Sequence, residues 1–201
     1  MEISDTSRLR IPMQRRGYLR VKKILDSAAE IISDSSVEKL TIQELAKRSG
    51  TSPGSLYHFF PDVESVKETL KLSFDNKLSE MLGEIKNQHT QQSWRAMSAK
   101  ELSDTIFLPY ANFLIENKAY LPLLLRMNSD FSDSEFLAML VYIFESRNEN
   151  TPKSEVLCEA NFLHSLAIGT LQQAFRRNTA LPYEFIPKLL EALTLYLESK
   201  E

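Results

Sequence analysis

The sequence predicts an all-α protein. Only five of its 201 residues are Gly, and no stretch alternates apolar and polar residues as a half-buried strand would. Apolar residues instead recur three and four positions apart along most of the chain. Short polar residues that can cap a helix, among them Thr41, Ser52, Ser98 and Ser132, stand just ahead of such segments. Three parts are expected: a basic arm over 1–16, a three-helix domain over 17–61, and a larger helical body over 62–201. A helix starting near residue 62 links the last two.

Pro12 argues against a continuous helix in the arm. Arg8, Arg10, Arg15 and Arg16 give it a positive charge, which leaves two readings: a phosphate-seeking arm or a solvated tail. Val21, Ile24, Leu25, Ala28, Ile31 and Ile32 then mark the inner face of a first helix from about Tyr18 to Ser33. Thr41 and Glu44 have the spacing of a capping box for a second helix, and Gly50 supplies a residue tolerant of positive φ at its end. Ser52 caps a third helix with Pro53 in its first position. Leu45, Leu56 and Phe60 are expected in the core, while Gln43, Lys47 and Arg48 face outward. Small Ser52, Gly54 and Ser55 let the backbone approach a partner closely, and Tyr57 and His58 offer hydrogen-bonding tips. Two short helices joined by a Gly turn read as a helix-turn-helix.

The stretch T-I-Q-E-L-A-K-R-S-G-T-S-P-G-S-L-Y-H-F-F-P, ending in L-Y-x-F-F, resembles the N-terminal signature of the TetR family of bacterial transcriptional regulators. The resemblance runs from about Val21 to Leu70. It implies a helix-turn-helix domain, a helical ligand-binding and dimerisation domain, and a homodimer on a double-stranded DNA operator, released when a small molecule binds. By the same resemblance Thr41, Gln43, Ser52, Pro53, Gly54, Ser55, Tyr57 and His58 stand where relatives touch DNA. Relatives often carry Lys, a phosphate contact, where Pro53 and Val63 stand here, and Gly where Ser36 stands.

Beyond Leu70 the residues speak for themselves. Val66, Leu70, Phe74, Leu78, Met81, Leu82 and Ile85 form the buried stripe of the linking helix. The polar run 87–93 reads as a loop with an exposed His89. Ser98 and Glu101 make a second capping box, and Ser132 and Glu135 a third. Pro109 and Pro122 are expected to kink or loosen the middle helices. A long helix follows from Pro152 to Arg177 and a last one from about Tyr183 to Ser199. The wide apolar stripe of the last helix, facing Gly169, Thr170 and Ala174, points to a homodimer through these two helices; the alternative is that both cap a monomeric core. Phe107, Tyr110, Phe113, Met127, Phe136, Met139, Tyr142 and Phe162 supply an aromatic lining, with Asn161, His164 and Gln173 as polar partners for a small apolar or aromatic effector. The competing reading makes the same rings, and His164, ordinary core.

The net charge is −3, but it is unevenly spread. Basic residues outnumber acids over 1–60 and acids predominate beyond, as suits approach to a polyanion with one end. No apolar run reaches membrane-spanning length, and the single Cys158 fits a reducing cytoplasm. Phosphate loop, metal-spaced His/Cys cluster and nucleophile elbow are all missing, so neither a cofactor nor an enzyme is expected. A ligand-responsive repressor is the leading reading. A helical adaptor working through protein partners is the alternative, motivated by Pro53 and Val63.

Overall fold

In a computed structural model the described residues, 15–127, 134–177 and 181–200, form helices and no strand. Arg8, Arg10, Ser132 and residues 178–180 lie outside them. The described residues divide into two compact units. One holds the chain to Asp75 together with a later segment from Asn117, the other the remainder from Asn76.

In the first unit, α1 (Arg15–Asp34) buries Val21, Ile24, Ala28, Ile31 and Ile32, the face its apolar spacing selects. It begins earlier than expected, so Arg15 and Arg16 occupy its first turn instead of a flexible arm. A 3₁₀ turn, Val37–Lys39, follows. Ser36 closes the turn with φ −169° and ψ 168°, an extended backbone that needs no Gly. α2 (Ile42–Ser49) is capped by Thr41, whose Oγ1 accepts from the Glu44 N–H at 3.2 Å. Only this half of the expected box forms. α3 (Pro53–Phe59) starts on Ser52, whose Oγ accepts from the Ser55 N–H at 3.3 Å. Leu45, Leu56 and Phe60 are fully buried.

Between α2 and α3 the chain reverses at Gly50, with φ 62° and its N–H bonded to the Ala46 carbonyl. Residues with a Cβ pay about 1–2 kcal/mol in this left-handed conformation. Gly50→Ala is therefore expected to lower stability by about 1 kcal/mol, read as a lower denaturation midpoint. The Lys23 amine, 3.5 Å from where that Cβ would sit, is a flexible tip that can move aside.

α4 (Val63–Asn87) begins on Asp62, whose carboxylate accepts from both the backbone N–H and the hydroxyl of Ser65, at 2.7 and 2.6 Å. Its first part, to Asp75, belongs to the first unit and the rest to the second. Met81 and Ile85, expected in the buried stripe, are only half-buried. The first unit also recruits a helix from far along the chain, α8 (Tyr120–Arg126). The Tyr120 hydroxyl donates to Asp75 at 2.6 Å, and Arg126 pairs with Glu38 at 3.0 Å.

The second unit corrects the reading of 87–93. Thr90 caps α5 (Gln91–Ala96), and fully buried Trp94 anchors it. His89 is half-buried against the indole, ring centroids 4.6 Å apart. From α9 (Glu135–Arg147) the Arg147 guanidinium reaches back to the carbonyls of Trp94 and Met97, at 2.9 and 2.6 Å.

The Ser98–Glu101 capping box is complete and opens α6 (Ala99–Leu102). One wide π turn over Ser103–Phe107 joins α6 to α7 (Leu108–Glu116). Pro109 has no N–H to give the carbonyl one turn back, and the wider turn accommodates it. Pro122 sits in the first turn of α8 and breaks nothing. Ser134, rather than Ser132, caps α9, accepting from the Leu137 N–H. α10 (Lys153–Arg177) and α11 (Leu181–Glu198) complete the unit, with Pro187 inside α11.

Candidate nucleic-acid interface

The caps on α2 and α3 determine what the first unit presents to solvent. Leu45 on α2 and Leu56 and Phe59 on α3 turn inward. The opposite faces carry the polar and small residues. Thr41, Gln43, Ser52, Pro53, Gly54, Tyr57 and His58 are all exposed, and Ser55 is half-buried behind its cap. Tyr57 is 56% exposed. His58 stands edge-on to Phe59, centroids 5.0 Å apart. Helix α3 thus offers small residues at its start and two polar tips at its end, a profile suited to a major groove.

The surrounding cations divide into two sets. Arg48 was expected outward for a phosphate. It is exposed, and its guanidinium bonds Asp34 at 2.9 Å and approaches Glu30 at 3.7 Å, tying α2 to α1. Lys47 is exposed with no partner among the described residues. Arg15 and Arg16 are exposed at the start of α1, with no acid in that turn. Cations are disfavoured at this positive end of a helix, and an incoming phosphate relieves that repulsion. Asp62 and Glu64 make the start of α4 acidic; Lys67, one turn on, pairs with Glu64 at 2.7 Å.

In the second unit the expected aromatic lining does not come together as one group. Phe107, Tyr110, Phe136 and His164 do meet. Tyr110 stacks on Phe136 with centroids 3.6 Å apart, and Phe107 meets the edge of Phe136 at 5.6 Å. The Tyr110 hydroxyl and His164 Nε2 lie 3.3 Å apart. Burial drives the His164 imidazole down to about 4 and the Tyr110 phenol well above its ordinary value. Phe113 and Met139 are also buried. Tyr142 is half-buried under the Lys86 ammonium, 3.9 Å from its ring centroid. Phe162 is 48% exposed and contacts Tyr196. Asn161 and Gln173 are exposed, and Asn161 bonds the Leu157 carbonyl. Met127 is half-buried in the other unit.

A cavity of about 230 Å³ opens elsewhere in the second unit, where the end of α9 meets the start of α10 and the end of α11. Val156, Leu163 and Leu197 line it together with Arg147, Glu159 and Lys200, none of them expected from the sequence. The available signal was charge spacing: Glu155/Glu159 and Tyr196/Lys200 are each one helical turn apart. The described residues hold no cluster of metal-binding side chains, and no helix among them is long and apolar enough to cross a membrane.

Two short capped helices across a left-handed Gly, with the second helix's polar tips exposed, define a helix-turn-helix DNA-binding protein. Residues 24–66 match the family of bacterial regulatory proteins, tetR family. Over this segment, the helix-turn-helix and the start of α4, the chain is similar to these transcriptional regulators. It is 30% identical over 78 residues to an uncharacterised HTH-type transcriptional regulator, YvdT, of Bacillus subtilis (strain 168). That match covers 39% of this chain and 38% of the relative. The fold resembles a TetR-like regulator from Rhodococcus sp. RHA1, with TM-score 0.62, 15% identity, and 90% of this chain and 96% of that one covered. It also resembles the regulator FadR of Bacillus subtilis in complex with stearoyl-CoA, with TM-score 0.56, 16% identity, and 86% and 97% covered.

Proposed function

We propose that the protein is a ligand-responsive repressor that binds a near-palindromic DNA operator as a homodimer and leaves it when a small effector occupies the helical body. The observation that carries this reading is the exposed row on α2 and α3, Gln43, Ser52, Pro53, Gly54, Tyr57 and His58, beside the unpaired Lys47. Dimerisation through α10 and α11 is supported by apolar side chains left in solvent on both helices: Leu157 and Phe162 on one, Tyr183 and Leu195 on the other. An effector is supported by the likeness to FadR, which was solved with stearoyl-CoA. Operator DNA places the protein in the cytoplasm, and a regulator of this kind needs neither catalysis nor a cofactor.

The test is binding to the protein's own upstream DNA at two salt concentrations. Affinity should fall steeply with salt, since each neutralised phosphate contributes about −0.9 to the slope of log K against log salt. Absent or salt-insensitive binding refutes the reading. With Pro53 and Val63 in place of lysines, the arm and the start of α1 carry more of the phosphate contact. Replacing Arg15 and Arg16 together with Ala should reduce that slope by about 2, and deleting 1–14 should weaken binding well beyond twofold. The acidic start of α4 favours the adaptor reading. A stoichiometric protein partner, with no operator footprint, would put it in place of the repressor.

A further inference from the structure

Helix α1 keeps an apolar side chain in solvent within a ring of cations. Leu19 is 54% exposed, and its neighbours on the helix surface, three and four residues away, are Arg15, Arg16, Lys22 and Lys23. All four are exposed, as is Arg20. No acid falls within 15–23. Lys22 is neutralised by Asp26 at 2.8 Å, whereas Arg16, Arg20 and Lys23 have no acidic partner among the described residues. Arg16 and Arg20 stand four residues apart, and Arg20 and Lys23 three, spacings at which like charges repel. A polyanion laid along this face relieves the repulsion.

One flank of the face abuts the helix-turn-helix. Arg16, Lys23, Glu30 and Asp34 follow one another at seven, seven and four residues, close to whole turns, so they share one side of α1. Glu30 and Asp34 identify that side as the one toward α2, because they hold Arg48. Nearer the start of α1, the Lys23 ammonium lies over the turn between α2 and α3, 3.5 Å from where a Gly50 Cβ would sit. Pro53 begins α3 three residues beyond Gly50, at most about 11 Å along the chain, and it has no N–H to give a phosphate. A major groove is about 12 Å wide. A groove that receives the start of α3 therefore sets a bordering phosphate near Lys23.

We propose that this face of α1 is a third DNA-contacting element beside α2 and α3. Lys23 grips the phosphate that borders the start of α3, Arg16, two turns away, follows the same backbone, and Leu19 packs on deoxyribose. The assignment rests on the protein binding operator DNA and adds contacts outside the helix-turn-helix. It differs from a role in which Lys23 only stabilises the C-terminal end of α2, where the helix dipole favours a cation.

Binding of the full chain to its own upstream DNA, at about 50 and 200 mM salt, tests it. Lys23→Gln should weaken binding about threefold or more and lower the slope of log K against log salt by about 1, with the melting temperature unchanged. Adding Pro53→Lys to Lys23→Gln should restore the slope, since the new ammonium stands at the start of α3. Leu19→Glu should weaken binding about tenfold or more, as an acid set against phosphate. Leu72→Glu, at a 56% exposed position on α4 in the same unit, changes the net charge equally and should leave binding within about twofold. An unchanged slope for Lys23→Gln, no recovery in the double variant, or equal losses from the two Leu→Glu variants overturns the assignment. A lowered melting temperature with an unchanged slope would leave Lys23 a capping role alone. Weaker binding of Lys23→Gln to phosphatidylglycerol vesicles, with DNA binding intact, would give the face to a membrane and also overturn it. If the natural protein binds no DNA, the regulator reading fails; if it binds DNA and the variants match it, only the α1 contact fails.

Discussion

Replacing Phe60 with Ala is expected to cost about 3–5 kcal/mol, the range for deleting a buried aromatic ring, and to abolish operator binding. Phe60 is fully buried at the end of α3, its N–H bonded to the Leu56 carbonyl at 2.8 Å. Leu45, Leu56 and Val66 are fully buried in the same unit. Small domains are stable by only about 5–15 kcal/mol, so the loss consumes a large part of what holds α3 in place. The chain's single Trp, Trp94, lies in the other unit. Indole fluorescence therefore reports on that unit, while far-ultraviolet circular dichroism reports on both. The variant should lose part of its helical signal at low denaturant, before the indole responds. A variant with an unchanged dichroism midpoint and full operator affinity would show that the ring does not hold the helix-turn-helix together.

The helix-turn-helix was legible because local chemistry specifies it. Thr41, Gly50, Ser52 and Pro53 each meet a backbone need within four residues of themselves, and no distant contact is required to read them. Helix α5 offered only its Thr90 cap as a local signal. Gln91, Gln92 and Ser93 show no apolar period, and the helix depends on Trp94 and on Arg147 arriving from α9. The same limit hid the place of α8, whose ties to Asp75 and Glu38 span long stretches of sequence.

Other misreadings were avoidable. The buried stripe of α10 runs Val156, Ala160, Leu163, Ala167, Leu171 and Ala174, and Phe162 is out of phase with it, as its exposure shows. Ser132 and Ser134 offered two caps for one helix. The structure uses Ser134. As for the candidate site, the exposed faces of α2 and α3 followed from which residues had to be buried. Arg48 faces outward as expected, but its ties to Asp34 and Glu30 were not legible because they sit on a different helix. The cavity escaped because its charged residues come from three helices and each, taken alone, reads as a solvated face.

The buried imidazole leads to a second large effect. His164 is 2% exposed, between Tyr110 on α7 and Phe136 on α9, and burial pulls it from the ordinary value of 6.5 to about 4. The unfolded chain therefore binds this proton more readily than the folded protein. The neutral ring's contribution to stability is fully present above about pH 6.5 and is lost as the pH falls toward 4. Between pH 7 and pH 5 the loss amounts to about 2 kcal/mol from this one group. Carboxylates titrate in the same direction below pH 5, so the measurement is a comparison with His164→Gln, which keeps a polar group opposite the Tyr110 hydroxyl and removes the titration. Denaturation free energies at pH 7, 6 and 5 should fall more steeply for the natural protein than for the variant, by about 2 kcal/mol over the interval. Parallel curves would mean that the imidazole protonates freely in the folded state. The Tyr110–Phe136–His164 cluster would then be open to water, and the helical body would have a place for an effector.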